Sequence, residues 1–191
     1  MSSGDILLQI VTGVALAACC GLRAWLPLLV VGLAGRAGLV ELNATFDWIS
    51  SNTSLIALGL ATLLELGADK IPALDHALDL VGLVVRPLAG ALAVATVAVH
   101  LPPIVVLAVA LILGAGTAGT VQVGKAAARW KSSLFSGALA NPALSLVEDF
   151  LAVAGSLLAI AMPLLALLVL LGFGWGWWRL LRRFRRKAAA V

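Results

Sequence analysis

The sequence predicts an all-α, polytopic membrane bundle of about six transmembrane segments. Three observations carry that expectation. Of 191 residues, 62% are hydrophobic and only 12% charged, and the mean hydropathy is +1.12. An ordinary soluble domain is about 45–50% apolar and about 25% charged. Half the usual charge cannot coat a water-soluble globule, which nearly excludes a soluble enzyme or nucleic-acid binder, and so apolar a chain is not disordered. The apolar residues also fall in long stretches, and the charges of the body are not spread along loops.

A hydrocarbon core of about 30 Å takes roughly 20 helical residues to cross. The opening MSSGD has no positive n-region and the apolar run after it continues too far for a secretory signal, so it reads as a retained membrane helix. That first stretch, Ile6–Gly35, is long for one crossing, and Gly21–Pro27 (GLRAWLP) is its candidate break. Cys19 and Cys20 are adjacent within it and form neither a disulfide framework nor a C-x-x-C pair; they read as buried small hydrophobes. Glu41–Ser54 (ELNATFDWISSNTS) is the clearest aqueous loop. Further apolar stretches run over Leu55–Ala68, Ala73–His100, Pro103–Ala128 and Ala143–Leu181.

The last stretch would be about 58 Å long as one straight helix. Proline at Met162-Pro163 removes a backbone donor in its middle, so a hairpin is expected there. The resulting scheme has six crossings, at about 6–36, 54–70, 73–100, 103–129, 142–161 and 163–182, with both termini cytoplasmic. Lys70 then lies inside, whereas Arg36 lies outside, against the positive-inside rule. Seven crossings, or a broken or re-entrant first segment, would remove that conflict. Tryptophans 25, 48, 130, 175, 177 and 178 sit mostly near segment ends, where interfacial aromatics belong.

The net charge of +4 is not evenly spread. Arg179, Arg182, Arg183, Arg185, Arg186 and Lys187 hold six of the thirteen bases; the other seven face nine acids, so the rest of the chain carries −2. Residues 1–178 read as one transmembrane domain and 179–191 as a basic cytoplasmic tail that meets anionic lipid headgroups rather than nucleic acid. Small-residue faces leave self-association into a homo-oligomer open.

Pro72-Ala-Leu-Asp75-His-Ala-Leu-Asp79 and Pro142-Ala-Leu-Ser145-Leu-Val-Glu148-Asp149 share P-A-L-[DS]-x-x-x-D, and each precedes a second proline, Pro87 or Pro163. Repeat units around 54–100 and 103–178 are expected from this echo, in the manner of duplicated transporters. Proline suits the first helical position, and Asn141 is a good N-cap. The six-crossing scheme makes the two units parallel.

The chemistry-bearing residues lie on stripes. Asp75, Asp79, Gly82 and Arg86 share one helix face, Ser145, Asp149, Ala152 and Ser156 a second, and Gln122, Lys125 and Arg129 a third. Ionisable groups at membrane depth are costly and usually face a bundle interior or a wet cavity. Glu65, Asp69, Asp75, His76, Asp79, Ser145, Glu148 and Asp149 are therefore the candidate pathway residues. Arg23, Lys70, Arg86, Lys125 and Arg129 are their candidate charge partners. The near balance of sign also fits a purely structural ion-pair network. No resident cofactor is implied. A divalent cation on Asp75, Asp79, Glu148 and Asp149 is left open, since carboxylates suit Mg²⁺ or Ca²⁺. A zinc centre is disfavoured because His100 is the only other histidine, and His76 reads better as a proton relay. Gly114-Ala-Gly116-Thr-Ala-Gly119 matches a dinucleotide fingerprint as text, but without a preceding strand it reads as a helix-packing face.

Gly21-Leu-Arg-Ala24 with Leu26-Pro27, Glu65 through Asp79 (ELGADKIPALDHALD), Arg86-Pro87-Leu-Ala-Gly90, Lys125-Ala-Ala-Ala-Arg129, and Asn141-Pro142-Ala-Leu-Ser145 with Glu148-Asp149 resemble the membrane family called domain of unknown function 4126. The resemblance spans about 20–150. It implies a multi-pass protein of bacterial type, hence of the inner membrane, and supplies no activity. The leading functional expectation is a small transporter or channel-like protein with a carboxylate-lined pathway for a cation, proton or small solute, and not an enzyme. The alternatives are a metal-dependent membrane enzyme acting on lipid phosphates, for which Asp75-x-x-x-Asp79 is only part of the CDP-alcohol phosphotransferase signature, and a structural or assembly subunit.

Overall fold

The computed structural model describes residues 3–68, 72–136, 141–169, 171–172, 175 and 179, with the side chains of 3, 72–79, 128, 130–136 and 141–143 outside that description. The described residues are predominantly helical, without a strand. The order is α1 (Ser3–Leu22), α2 (Leu26–Arg36), a 3₁₀ helix (Ala44–Ser50), α3 (Asn52–Ala68), α4 (Pro72–Val97), α5 (Pro103–Val109), a π-helical segment (Ala110–Ala115), α6 (Gly116–Ser136) and α7 (Asn141–Ala161). Helix resumes at Pro163 after a one-residue interruption at Met162.

Four stretches among the described residues are long and apolar enough to cross a membrane: Gly4–Leu22, Leu80–Val97, Pro103–Ala127 and Leu144–Ala161. The 3₁₀ helix and α3, bent by 64° where they join, form either a fifth, broken span or a re-entrant loop, so the described residues hold four to five candidate spans. The protein is therefore an integral membrane helical bundle. Its lipid-facing surface is what a hydrocarbon solvent requires, with Leu60, Leu64, Leu80, Val84, Ile104, Ile112 and Phe150 all exposed.

The first predicted crossing differs from expectation. Residues 6–36 form two helices that run in opposite directions. Near the start of α1, the Gln9 side chain meets His100. Just after α2, Asn43 donates from its backbone to Thr96 O and from its side chain to Ala98 O, both at the same end of α4. With 11 residues α2 is about 16 Å long, too short for a full crossing. The chain start thus shares a bundle end with the 37–51 connector, whereas the six-crossing scheme separates them. Gly21-Leu-Arg-Ala-Trp-Leu-Pro27 causes the reversal: Pro27 lies at the start of α2 and suits a first turn, not a continuing helix.

Central to the core is α1, which packs against α4, α6 and α7. Ala15, Leu16 and Cys20 are fully buried and meet Ala93 and Ala118 in one cluster that also holds Ala159. Small residues set the helix approaches. A Cβ on Gly90 would lie 2.7 Å from Gly114 O and 2.5 Å from Ala118 Cβ, and one on Gly114 would lie 2.6 Å from Gly90 O. The backbones of α4 and the π segment touch there. Likewise a Cβ on Gly21 would lie 2.6 Å from Ala118 O, so α1 and α6 also cross closely. Within the 114–119 run read as a helix-packing face, Gly114 and Ala118 pack in this way, while Gly116 faces open space. Both P-A-L segments begin helices, α4 at Pro72 and α7 at Asn141.

Candidate functional site

Where α1 stops, its last carbonyls lose their helical partners, and the amides of the break lose theirs. In lipid no water makes up the difference, so other groups must. Trp25 offers α2 no side-chain cap. Instead Glu65 reaches in from α3. Its Oε1 accepts from the Ala24 amide at 3.2 Å and its Oε2 from the Trp25 amide at 3.4 Å. On the other side Lys125, from α6, donates through Nζ to Leu22 O at 3.2 Å. A carboxylate thus meets the positive end of α2 and an ammonium the negative end of α1, the arrangement the helix dipoles favour.

Arg23 lies in the break itself and is wholly buried. Its guanidinium crosses to α7, donating to Ser145 Oγ at 2.7 Å and pairing with Asp149 at 2.5 Å. From α4, Arg86 pairs with Glu65 at 3.5 Å and donates to Gln122 Oε1 on α6. Glu148 of α7 takes two cations from α6: Lys125 at 2.9 Å, and Arg129 through a two-pronged contact of 2.8 and 3.3 Å. Arg86 enters about 9 Å along the Leu80–Val97 span, and Lys125 and Glu148 lie within the last and second turns of theirs. The cluster therefore sits one to two turns inside one end of the bundle.

Every local choice has a sequence reason. Gln122, Lys125 and Arg129 follow at spacings of three and four, so one face of α6 carries all three, and all are buried. Gly82, one turn before Arg86, leaves the room that its guanidinium and Gln122 occupy: a Cβ there would lie 3.2 Å from Gln122 Nε2 and 3.3 Å from Arg86 Cζ. On α7 Ser145, Asp149, Ala152 and Ser156 share the inward face, and Ser156 returns its hydroxyl to Ala152 O at 2.6 Å.

Of the predicted pathway residues, Glu65, Ser145, Glu148 and Asp149 come together here, with Arg23, Arg86, Lys125 and Arg129 as their partners. Asp69 and Lys70 lie outside the described residues. Asp75, His76 and Asp79 fall in the first half of α4, with their side chains outside the description. Among the described residues no group of three or more His, Cys, Asp or Glu side chains could hold a metal ion. The three carboxylates of the cluster each face a guanidinium or ammonium, which opposes cation binding at those atoms. Three elements of the site go beyond the predicted list: the Ala24 and Trp25 amides, the Leu22 carbonyl and Gln122. GLRAWLP signalled the first two, and the basic stripe of α6 already contained the third. In the tail, the Arg179 guanidinium lies 5.1 Å over the Trp175 ring; residues 180–191 lie outside the described ones.

No curated protein and no solved structure matches this chain. One family model does, over residues 10–183, a range that contains the α1–α2 break, every member of the charged cluster and the Trp175–Arg179 pair. With that span covered, the chain belongs to the family described as domain of unknown function (DUF4126).

Proposed function

We propose that the protein is a small membrane transporter whose pathway runs through the charged cluster at the α1–α2 break, and that it moves a proton or a small solute bearing an anionic group. One observation carries this reading: seven ionisable side chains from the α1–α2 break and four further helices, six of them buried, converge where the first apolar segment is interrupted. Interrupted helices with free backbone groups inside the bundle are how transporters build substrate and ion sites. Four of the seven groups are cationic, so a solute anion is better matched than a bare metal cation. Asp149, whose side chain keeps 23% exposure, is the least buried member of the cluster. The echo between Pro72–Asp79 and Pro142–Asp149 supports duplicated units that contribute Arg86 on one side and Glu148 and Asp149 on the other.

Purified protein in liposomes loaded with a pH-reporting dye tests the reading. Proton or anion flux that is present in wild type and abolished in Asp149→Asn supports it. Absence of flux for protons and for a panel of small carboxylates and phosphates, in folded and correctly inserted protein, removes it.

A second reading, a structural subunit, is favoured by the pairing itself, because each carboxylate of the cluster lies within 3.5 Å of a cation. It expects the charge-neutral replacement of a whole pair, such as Glu65→Gln with Arg86→Gln, to leave all cellular roles intact.

A further inference from the structure

The Ala24 and Trp25 amides belong to neither helix ladder. Arg23 still donates to Cys19 O, but the next two amides turn to Glu65. Together with the Arg86 guanidinium they present three donors to one carboxylate, each oxygen taken separately by one amide. This is more than a helix end: the amides come from the linker, the cation from α4, and Gln122 steadies the guanidinium from α6. The occupant is a side chain on the most loosely held helix of the set. Along α3 only Thr62 and Glu65 are buried, and Thr62 merely returns its hydroxyl to Leu58 O. Gly59 and Gly67 face open space, and Leu60, Leu63 and Leu64 face outward. Glu65 is thus the polar tie between α3 and the centre of the bundle.

We propose that the Ala24–Trp25–Arg86 slot is a carboxylate-binding site, filled in this conformation by Glu65 as an internal ligand, and that small monocarboxylates compete for it. The chemistry is matched in charge, since the guanidinium compensates one negative charge, and in shape, since two adjacent amides take the two oxygens of a planar carboxylate. A phosphate would bring a further oxygen for which the slot has no donor. The inference deepens the transport reading and rests on it for its purpose, but the binding site itself is tested without flux.

The experiment uses the full chain with Glu65→Ala, which empties the slot, and formate or acetate as the probe. Thermal unfolding in detergent should shift upward with formate in the variant and not in wild type, where Glu65 already fills the slot. Formamide and acetamide, equal in shape and uncharged, should give no shift. Adding Arg86→Gln should weaken formate binding about tenfold or more, the loss expected for one charge-assisted hydrogen bond. If Glu65→Ala folds only when formate is present throughout purification, that dependence supports the slot. Folded Glu65→Ala or Glu65→Gly that ignores formate, or responds equally to formamide, overturns it, and so does failure to fold with formate as without. A protein that binds formate in this way yet moves no solute loses the transport reading alone; one that transports without binding formate loses only the slot.

Discussion

Glu148 sits between two cations at hydrogen-bonding distance and is itself buried. Removing one partner of a buried ion pair leaves an uncompensated charge, which typically costs about 3–5 kcal/mol, more than the pair itself contributes. Glu148→Ala should therefore destabilise the protein by about that amount, read as a lowered unfolding midpoint in detergent. Arg23 and Asp149 make a second test. Because Asp149 is partly exposed, a double-mutant cycle of Arg23→Met and Asp149→Asn should give a smaller coupling, about 0.5–2 kcal/mol. A coupling near zero would mean that groups other than Asp149, Ser145 among them, hold the guanidinium. These residues were legible in the sequence because a charge inside an apolar run has few benign explanations. Their pairing was not. Glu65 is 41 positions from the amide it meets at Ala24 and Arg23 is 122 from Ser145, and helix spacing says which face a residue occupies but not which helix that face meets.

Elements approach through glycine where the packing is closest. At the crossing of α4 with the π segment, a methyl on Gly90 or Gly114 would fall within 2.8 Å of backbone atoms that have nowhere to go. Overpacking of this kind costs about 1–3 kcal/mol, so Gly90→Ala should lower the unfolding midpoint clearly. Gly116→Ala is the control: it has open space around it, and alanine is favoured over glycine in a helix by about 1 kcal/mol. It should be neutral or mildly stabilising in the same assay. Equal losses at both positions would mean that the helices do not meet as described. The G-x-G-x-x-G text around residues 114–119 showed small residues without showing which of them face a neighbour. The partner glycines, Gly90 and Gly21, lie on other helices, and the π segment has no sequence mark that separates it from the apolar helix around it.

At the scale of the molecule, the fold class was readable from composition alone, whereas the path of the first segment was not. Length and apolarity make 6–36 look like one long crossing; only GLRAWLP argues for a break, and a break by itself does not say whether the chain continues or returns. What decides it is where the polar ends are satisfied. Glu65 holds the start of α2 against α3 and Lys125 the end of α1 against α6, so the two halves take different neighbours. The return has a direct consequence for orientation. Asp5, next to the start of α1, and Thr53, just after the 3₁₀ helix, belong to the same end of the bundle, while the end of α6 belongs to the other. Single cysteines placed at Asp5 and at Thr53 should react with a membrane-impermeant maleimide from the same side of sealed vesicles. One at Ser133, near the end of α6, should react only from the opposite side. Cys19 and Cys20 are buried and should stay silent throughout. Labelling of Asp5→Cys and Thr53→Cys from opposite sides would restore a single first crossing, and with it the Arg36 conflict. It would also separate the Ala24 and Trp25 amides from Glu65, leaving the charged cluster without the backbone interruption on which it converges.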